Sequence, residues 1–127
     1  MAGFSNYLET KVLEHVFGGS AYTAPTTLYV ALFTAAPSDT GGGTEVSGGA
    51  YARQTAAFTV SGDTASNTAA IEYATATADY GTVVALGVYD ALTSGNLLAY
   101  GTLTTSKTVS NGDVFRFNAS AIDITLT

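Results

Sequence analysis

Thr82-Val83-Val84-Ala85-Leu86-Gly87-Val88-Tyr89, the turn Thr93-Ser94-Gly95-Asn96 and the return Leu97-Leu98-Ala99-Tyr100-Gly101-Thr102-Leu103 decide the fold class. Alternation along the first run puts Val84, Leu86 and Val88 on one face and Val83, Ala85 and Tyr89 on the other, the period of a strand and not of a helix. Upstream, Leu28-Tyr29-Val30-Ala31-Leu32-Phe33 is apolar on both faces, which predicts a central strand covered on both sides. Tyr51 to Val60 reads as one strand, with Ala52, Gln54, Ala56, Phe58 and Val60 on a common face, and Ala70 to Ala74 as a short one. Lys107-Thr108-Val109 and Val114-Phe115-Arg116-Phe117 flank Ser110-Asn111-Gly112-Asp113, whose Asn-Gly pair predicts a hairpin. Ala121 to Thr127 closes the chain, alternating Ile122, Ile124 and Leu126 against Asp123 and Thr125.

Seven or eight short strands at spacings of roughly 8–15 residues predict an antiparallel all-β sandwich, jelly-roll-like, and argue against alternating βα units. One α-helix is expected, at the N-terminus over about residues 6–17 (roughly Asn6 to Phe17). Asn6 is its candidate N-cap with Glu9 three residues on, Leu8, Val12, Leu13, Val16 and Phe17 fall at helical spacing, and Gly18-Gly19 ends it. The helix is expected to pack at an edge or end of the sandwich through Leu8, Val12 and Val16. With 127 residues, a single domain is expected over 1–127, the sandwich occupying about 27–127.

Composition narrows function by exclusion. Four Lys and Arg against ten Asp and Glu give a net charge of −6, so a basic nucleic-acid footprint is missing. No apolar run approaches the roughly 20 residues of a membrane helix. The 46% hydrophobic content does not suit disorder. Without Cys, disulfides and thiolate metal sites are excluded. No positively charged segment opens the chain, so no secretory signal peptide is expected.

Little is left for catalysis. His15, the single histidine, has no nucleophile elbow to serve. The acids Asp39, Glu45, Asp63, Glu72, Asp79, Asp90, Asp113 and Asp123 fall mostly at strand ends and turns, where carboxylates make local hydrogen bonds. Asp39 with Glu45, or Asp63 with Asn67, lack the spacing of a calcium loop. We therefore expect a non-enzymatic protein with no catalytic residues, cofactor or metal. Charged residues are 11% of the chain, against about 25% in ordinary soluble domains, so the surface lacks the usual protection against association. Phe4 and Tyr7 at the helix start, Tyr22 after it, and Arg53 are the candidate protein–protein interface residues. Arg53 lies beside a loop over 35–49 with five glycines, expected to be either functional, lying against a neighbouring protein, or disordered.

Several motifs in order carry a family likeness. They are Phe4-Ser5-Asn6-Tyr7-Leu8-Glu9, His15-Val16-Phe17-Gly18-Gly19, Tyr22-Thr23-Ala24-Pro25 and Leu28-Tyr29-Val30-Ala31-Leu32 in the first part. Gly48-Gly49-Ala50-Tyr51-Ala52-Arg53, Gly81-Thr82-Val83-Val84, Asn96-Leu97-Leu98-Ala99-Tyr100-Gly101 and Gly112-Asp113 before Phe115 follow. The chain resembles a family of small bacteriophage virion structural proteins, often labelled tail-fibre proteins. The resemblance implies a virion location, with the protein made in the host cytoplasm, and brings no catalytic residues. Small phage β-sandwich proteins also serve as capsid cement, so a decoration role on the major capsid protein is the leading expectation. A tail-associated role is the alternative, and a carbohydrate-binding module a further one. The expected partners are the major capsid protein or tail proteins and copies of the chain itself in a homo-oligomer, with no nucleic acid and no membrane.

Overall fold

The computed structural model describes residues 2–126; Met1 and Thr127, at the ends of the expected domain, lie outside the described residues. Helix α1 (Asn6–Val16) starts one residue earlier in its capping than the sequence suggested. Ser5 is the N-cap: its backbone is extended (φ −73°, ψ 164°), and its side chain accepts the Leu8 N–H at 3.3 Å and donates to the Leu97 carbonyl. Asn6 is instead the first helical residue, its N–H donating to the Asp39 carbonyl at 2.9 Å. The end is as expected, with Gly19 in the left-handed region (φ 72°) and Ser20 N–H closing on the Glu14 carbonyl. The helix buries no residue fully. Leu8 and Val12 are half-buried, but Val16, expected in the covered stripe, is 60% exposed, and Phe17 is 82% exposed.

Eleven strands are present among the described residues: β1 (Gly3–Phe4), β2 (Leu28–Ala35), β3 (Thr44–Glu45), β4 (Gln54–Ala56), β5 (Phe58–Ser61), β6 (Thr64–Asn67), β7 (Ile71–Glu72), β8 (Gly81–Tyr89), β9 (Leu97–Val109), β10 (Arg116–Phe117) and β11 (Asp123–Thr125). A six-stranded sheet runs β1-β9-β8-β2-β3, with β4 also on β2; β11-β6-β5 form a three-stranded sheet and β10-β7 a two-stranded one. All pairs of named strands are antiparallel, so the molecule is all-β with one N-terminal helix. The antiparallel sheets with a single short helix are consistent with the expected β-sandwich.

Two local readings are corrected. The run Tyr51 to Val60 is not one strand: it breaks at Ala57, β4 joining the large sheet and β5 the three-stranded one. The Asn-Gly hairpin does not form either. Ser110–Asp113 makes a tight turn, with Asp113 N–H on the Ser110 carbonyl, but Arg116 and Phe117 pair with Glu72 and Ile71 rather than with β9. Packing overrides the turn signal because Phe115 and Phe117 are drawn into an aromatic cluster around Tyr73. Ring centroids lie 5.0 Å apart for Phe115–Phe117 and 5.9 Å for Tyr73–Phe115, both edge-on.

That cluster is the centre of the core. It faces Val30, Leu32, Val83, Leu86, Val88 and Ala99 of the large sheet, and the Tyr73 hydroxyl donates to the Val30 carbonyl at 2.7 Å. Ala31, Phe33 and Ala85 are buried on the opposite face, so β2 is covered on both sides, as its composition required. A register shift between Val83 and Ala85 moves Val83 into the main core and Val84 to the other face, the reverse of simple alternation.

Candidate interaction surface

Only Arg53 among the four candidate interface residues is deeply buried. It sits just before β4 and is 9% exposed. Its Nε donates to Glu45 Oε2 and its Nη2 to Glu45 Oε1, both at 2.9 Å, the two-pronged geometry of a guanidinium on a carboxylate. Nη1 donates to the carbonyls of Ala91 (3.0 Å) and Ser94 (2.8 Å). The guanidinium carbon lies 3.8 Å from the Tyr89 ring centroid. Expected as a donor toward a neighbouring protein, Arg53 spends its charge inside its own chain.

Glu45 is the hub of this latch. Its Oε2 also accepts the Tyr51 hydroxyl at 2.7 Å, and that hydroxyl accepts the Leu32 N–H at 3.0 Å. Burial pushes the Glu45 carboxyl up, but the hydrogen bonds from Arg53 and Tyr51, with the Arg53 charge, outweigh it and leave it below the usual carboxylate value. Burial, then the bond to Glu45, pushes the Tyr51 phenol up.

The latch holds the 35–49 segment, expected to be either functional or disordered, in an ordered arrangement. Within 35–49, Glu45 pairs with Phe33 in the β2–β3 ladder, Val46 and Pro37 are buried, and Ser38 and Gly41 exchange backbone hydrogen bonds. Gly43 (φ 75°) runs so close to β2 that an added Cβ would lie 2.7 Å from the Ala35 carbonyl oxygen.

The tip of this segment faces the helix. Asn6, Tyr7, Asp39, Gly41, Tyr89 and Asn96 line a cleft of about 530 Å³. Tyr7 carries the Lys11 ammonium 5.7 Å from its ring centroid. Tyr22 is half-buried nearby; burial first, then Tyr7 and Asp90, raise its phenol pKa. Tyr22 does not line this cleft, and Tyr89 joins the cleft of Tyr7 to the Arg53 latch. Phe4 lies apart, in an apolar groove of about 320 Å³ with Leu8, Leu28, Phe58, Val60 and Ile124.

The groups weighed for chemistry are occupied structurally. His15 Nδ1 accepts the Tyr22 N–H at 3.0 Å, pinning the segment after the helix. Asp39 accepts from Tyr100, Asp63 from Thr64, Asp79 from Asn111 N–H, Asp90 from Asn96, Asp113 from Ser110 N–H and Asp123 from Ser66. Glu72 meets Arg116 at 3.4 Å. Asn67, weighed beside Asp63, is buried and bonds Ala69, Asn118 and Ile122 instead. No group of three or more His, Cys, Asp or Glu suited to a metal occurs among the described residues.

Glu45 and Tyr89 are the interaction residues that the sequence reading missed. A trace was available: in a chain so poor in charge, an acid eight residues before an arginine is a candidate pair. Tyr89 gave no such signal, because its partner arrives from another part of the chain. Val16 was read as a covered apolar position, yet with Leu13 and Phe17 it forms an exposed ridge.

Among known families, a model described as Podophage GP4 fiber I protein gp80 aligns with residues 3–125. No curated protein matches.

Proposed function

Because the chain belongs to that podophage fibre protein family, we propose that it is a structural component of the phage tail, acting through protein–protein contact and carrying out no chemical step. A virion structural role follows from the family itself. The tail is preferred over the capsid-cement role expected first because the matched family is described as a fibre protein. The observation that best supports contact as the mode of action is the ridge of Leu13, Val16 and Phe17, exposed at 58, 60 and 82%. Apolar surface of this kind on a soluble protein marks a contact site.

Copy number tests the reading. Quantitative mass spectrometry of purified particles, referenced to the major capsid protein, is expected to give a few to some tens of copies, with antibody label at the tail. Hundreds of copies and label over the head would overturn it in favour of decoration.

The cleft of Tyr7, Tyr89, Asn6, Asp39 and Asn96 supports carbohydrate binding as a second reading, since aromatic rings beside planar polar side chains suit sugars. Titration with simple methyl glycosides, followed by amide NMR shifts at Gly41, Gly42 and Asn96, tests it; unmoved resonances reject it.

A further inference from the structure

Strand β5 is the outer edge of the three-stranded sheet. Edge strands are ordinarily guarded by charge, proline or a bulge. From Gln54 to Gly62 there is no charged residue and no proline, in a chain whose net charge is −6. Val60, in the middle of this stretch, is 72% exposed.

The direction of the free backbone groups follows from the register. β5 and β6 close on the two-residue turn Gly62-Asp63, with Gly62 at φ 62° and Ser61 opposite Thr64. At the other end Thr68 N–H donates to the Ala57 carbonyl at 2.9 Å. Alternate residues of an antiparallel strand face the partner, so Ala57, Thr59 and Ser61 turn their main chain toward β6, while Phe58 and Val60 turn theirs outward. The Phe58 and Val60 side chains share the face that lines the apolar groove, and Thr59 lies on the polar outer face, its hydroxyl 2.9 Å from that of Thr68.

We propose that β5 pairs antiparallel with β5 of a second copy of this chain, about a two-fold axis through Thr59. In that register Phe58 of each copy stands opposite Val60 of the other, and the two outward N–H and C=O sets make four hydrogen bonds. The side chains are self-complementary: an aromatic faces a β-branched residue twice, and Thr59 faces Thr59 on the axis, pairings that favour antiparallel strands. Two three-stranded sheets become one of six strands, and the two apolar grooves become continuous. The absence of charge argues for a second copy over a basic or acidic partner, because two chains of equal charge approach best where neither carries any. A two-fold contact using one patch twice is also the commonest closed assembly.

The chain has no cysteine, so a single introduced thiol reports the geometry. Thr59 and its symmetry mate form the narrow kind of antiparallel pair, with Cα atoms about 4.5 Å apart, within reach of a disulfide. Thr59→Cys is expected to give near-complete disulfide-linked dimer under mild oxidation, while Thr105→Cys, on an exposed part of β9, does not. Sedimentation equilibrium is expected to show wild-type dimer at tens of micromolar. Thr59→Lys, which sets two charges on the axis, is expected to weaken it at least about tenfold. Val60→Pro removes an outward N–H without touching the intrachain ladder and is expected to act likewise, with thermal melting reporting its fold. Two results would overturn the pairing. One is equal cross-linking at Thr59 and Thr105; the other is a wild type that is monomeric throughout, or an oligomer unmoved by Thr59→Lys. A monomer whose incorporation into particles is nevertheless lost with Thr59→Lys would assign the edge to a strand of another virion protein and reject self-pairing.

Discussion

Arg53 and Tyr89 are stacked, the guanidinium carbon 3.8 Å from the ring centroid, and this pair ties the end of β8 to the segment before β4. Glu45 on the same guanidinium extends the tie to the 35–49 segment.

Arg53→Ala leaves Glu45 half-buried without its counter-charge and the carbonyls of Ala91 and Ser94 without their donor. The expected loss is about 3 kcal/mol in urea unfolding. Arg53→Lys keeps the charge but not the fork, and should fall between the two.

The same site sets an acid limit. The Glu45 carboxyl is held below its ordinary value of 4.5 in the folded protein, so folding favours the ionised form. Its contribution is present above the unfolded value and is lost as pH falls through the folded one. Glu45→Gln should be less stable near neutrality, and its stability should fall less than that of the wild type between about pH 5 and pH 3. Melting temperatures across that range check this.

Asn67 joins β6 to the chain approaching β11: its amide donates to the carbonyls of Ala69 and Asn118, and its oxygen accepts the Ile122 N–H at 2.8 Å. It is 1% exposed. Asn67→Ala strands these groups out of water and is expected to cost about 2–4 kcal/mol by denaturant unfolding.

Two glycines should differ. An added Cβ at Gly87 meets the side-chain ends of Leu97 and Phe33 at 2.9 Å, so Gly87→Ala is expected to cost about 1–3 kcal/mol as those chains shift. At Gly43 the obstacle is backbone and φ is positive, so Gly43→Ala should be the more damaging in the same assay.

Phe17→Ser, made with Val16→Ser, is expected to change stability by no more than about 0.5 kcal/mol, because neither side chain is covered. Incorporation into particles, measured by mass spectrometry, is expected to fall. Full incorporation would remove the ridge from the interface.

The β class was legible because period and turn residues agree along Leu28–Phe33 and Thr82–Leu103. Local signals failed where distant side chains decide. Asn111-Gly112 has the residues of a hairpin, but Phe115 and Phe117 gain more from Tyr73 than from pairing with β9. Five glycines made 35–49 look loose, and Glu45 reverses that through a partner eight residues away. Phe4, Tyr7 and Tyr22 could be named as aromatic and near the helix; that Tyr89 would join Tyr7 at one cleft depends on the β8–β9 turn, which spacing does not reveal.

Helix α1 is held at its first turn, by Ser5 on Leu97 and Asn6 on Asp39, while its far end buries nothing. Eleven residues are too few for a helix to persist in water by its own propensity. Amide hydrogens of its last two turns should therefore exchange with solvent orders of magnitude faster than those of β2 and β8. A partner that covers Leu13, Val16 and Phe17 would slow that exchange, so the rate at these few amides works as a built-in gauge of docking, readable without any label on the partner.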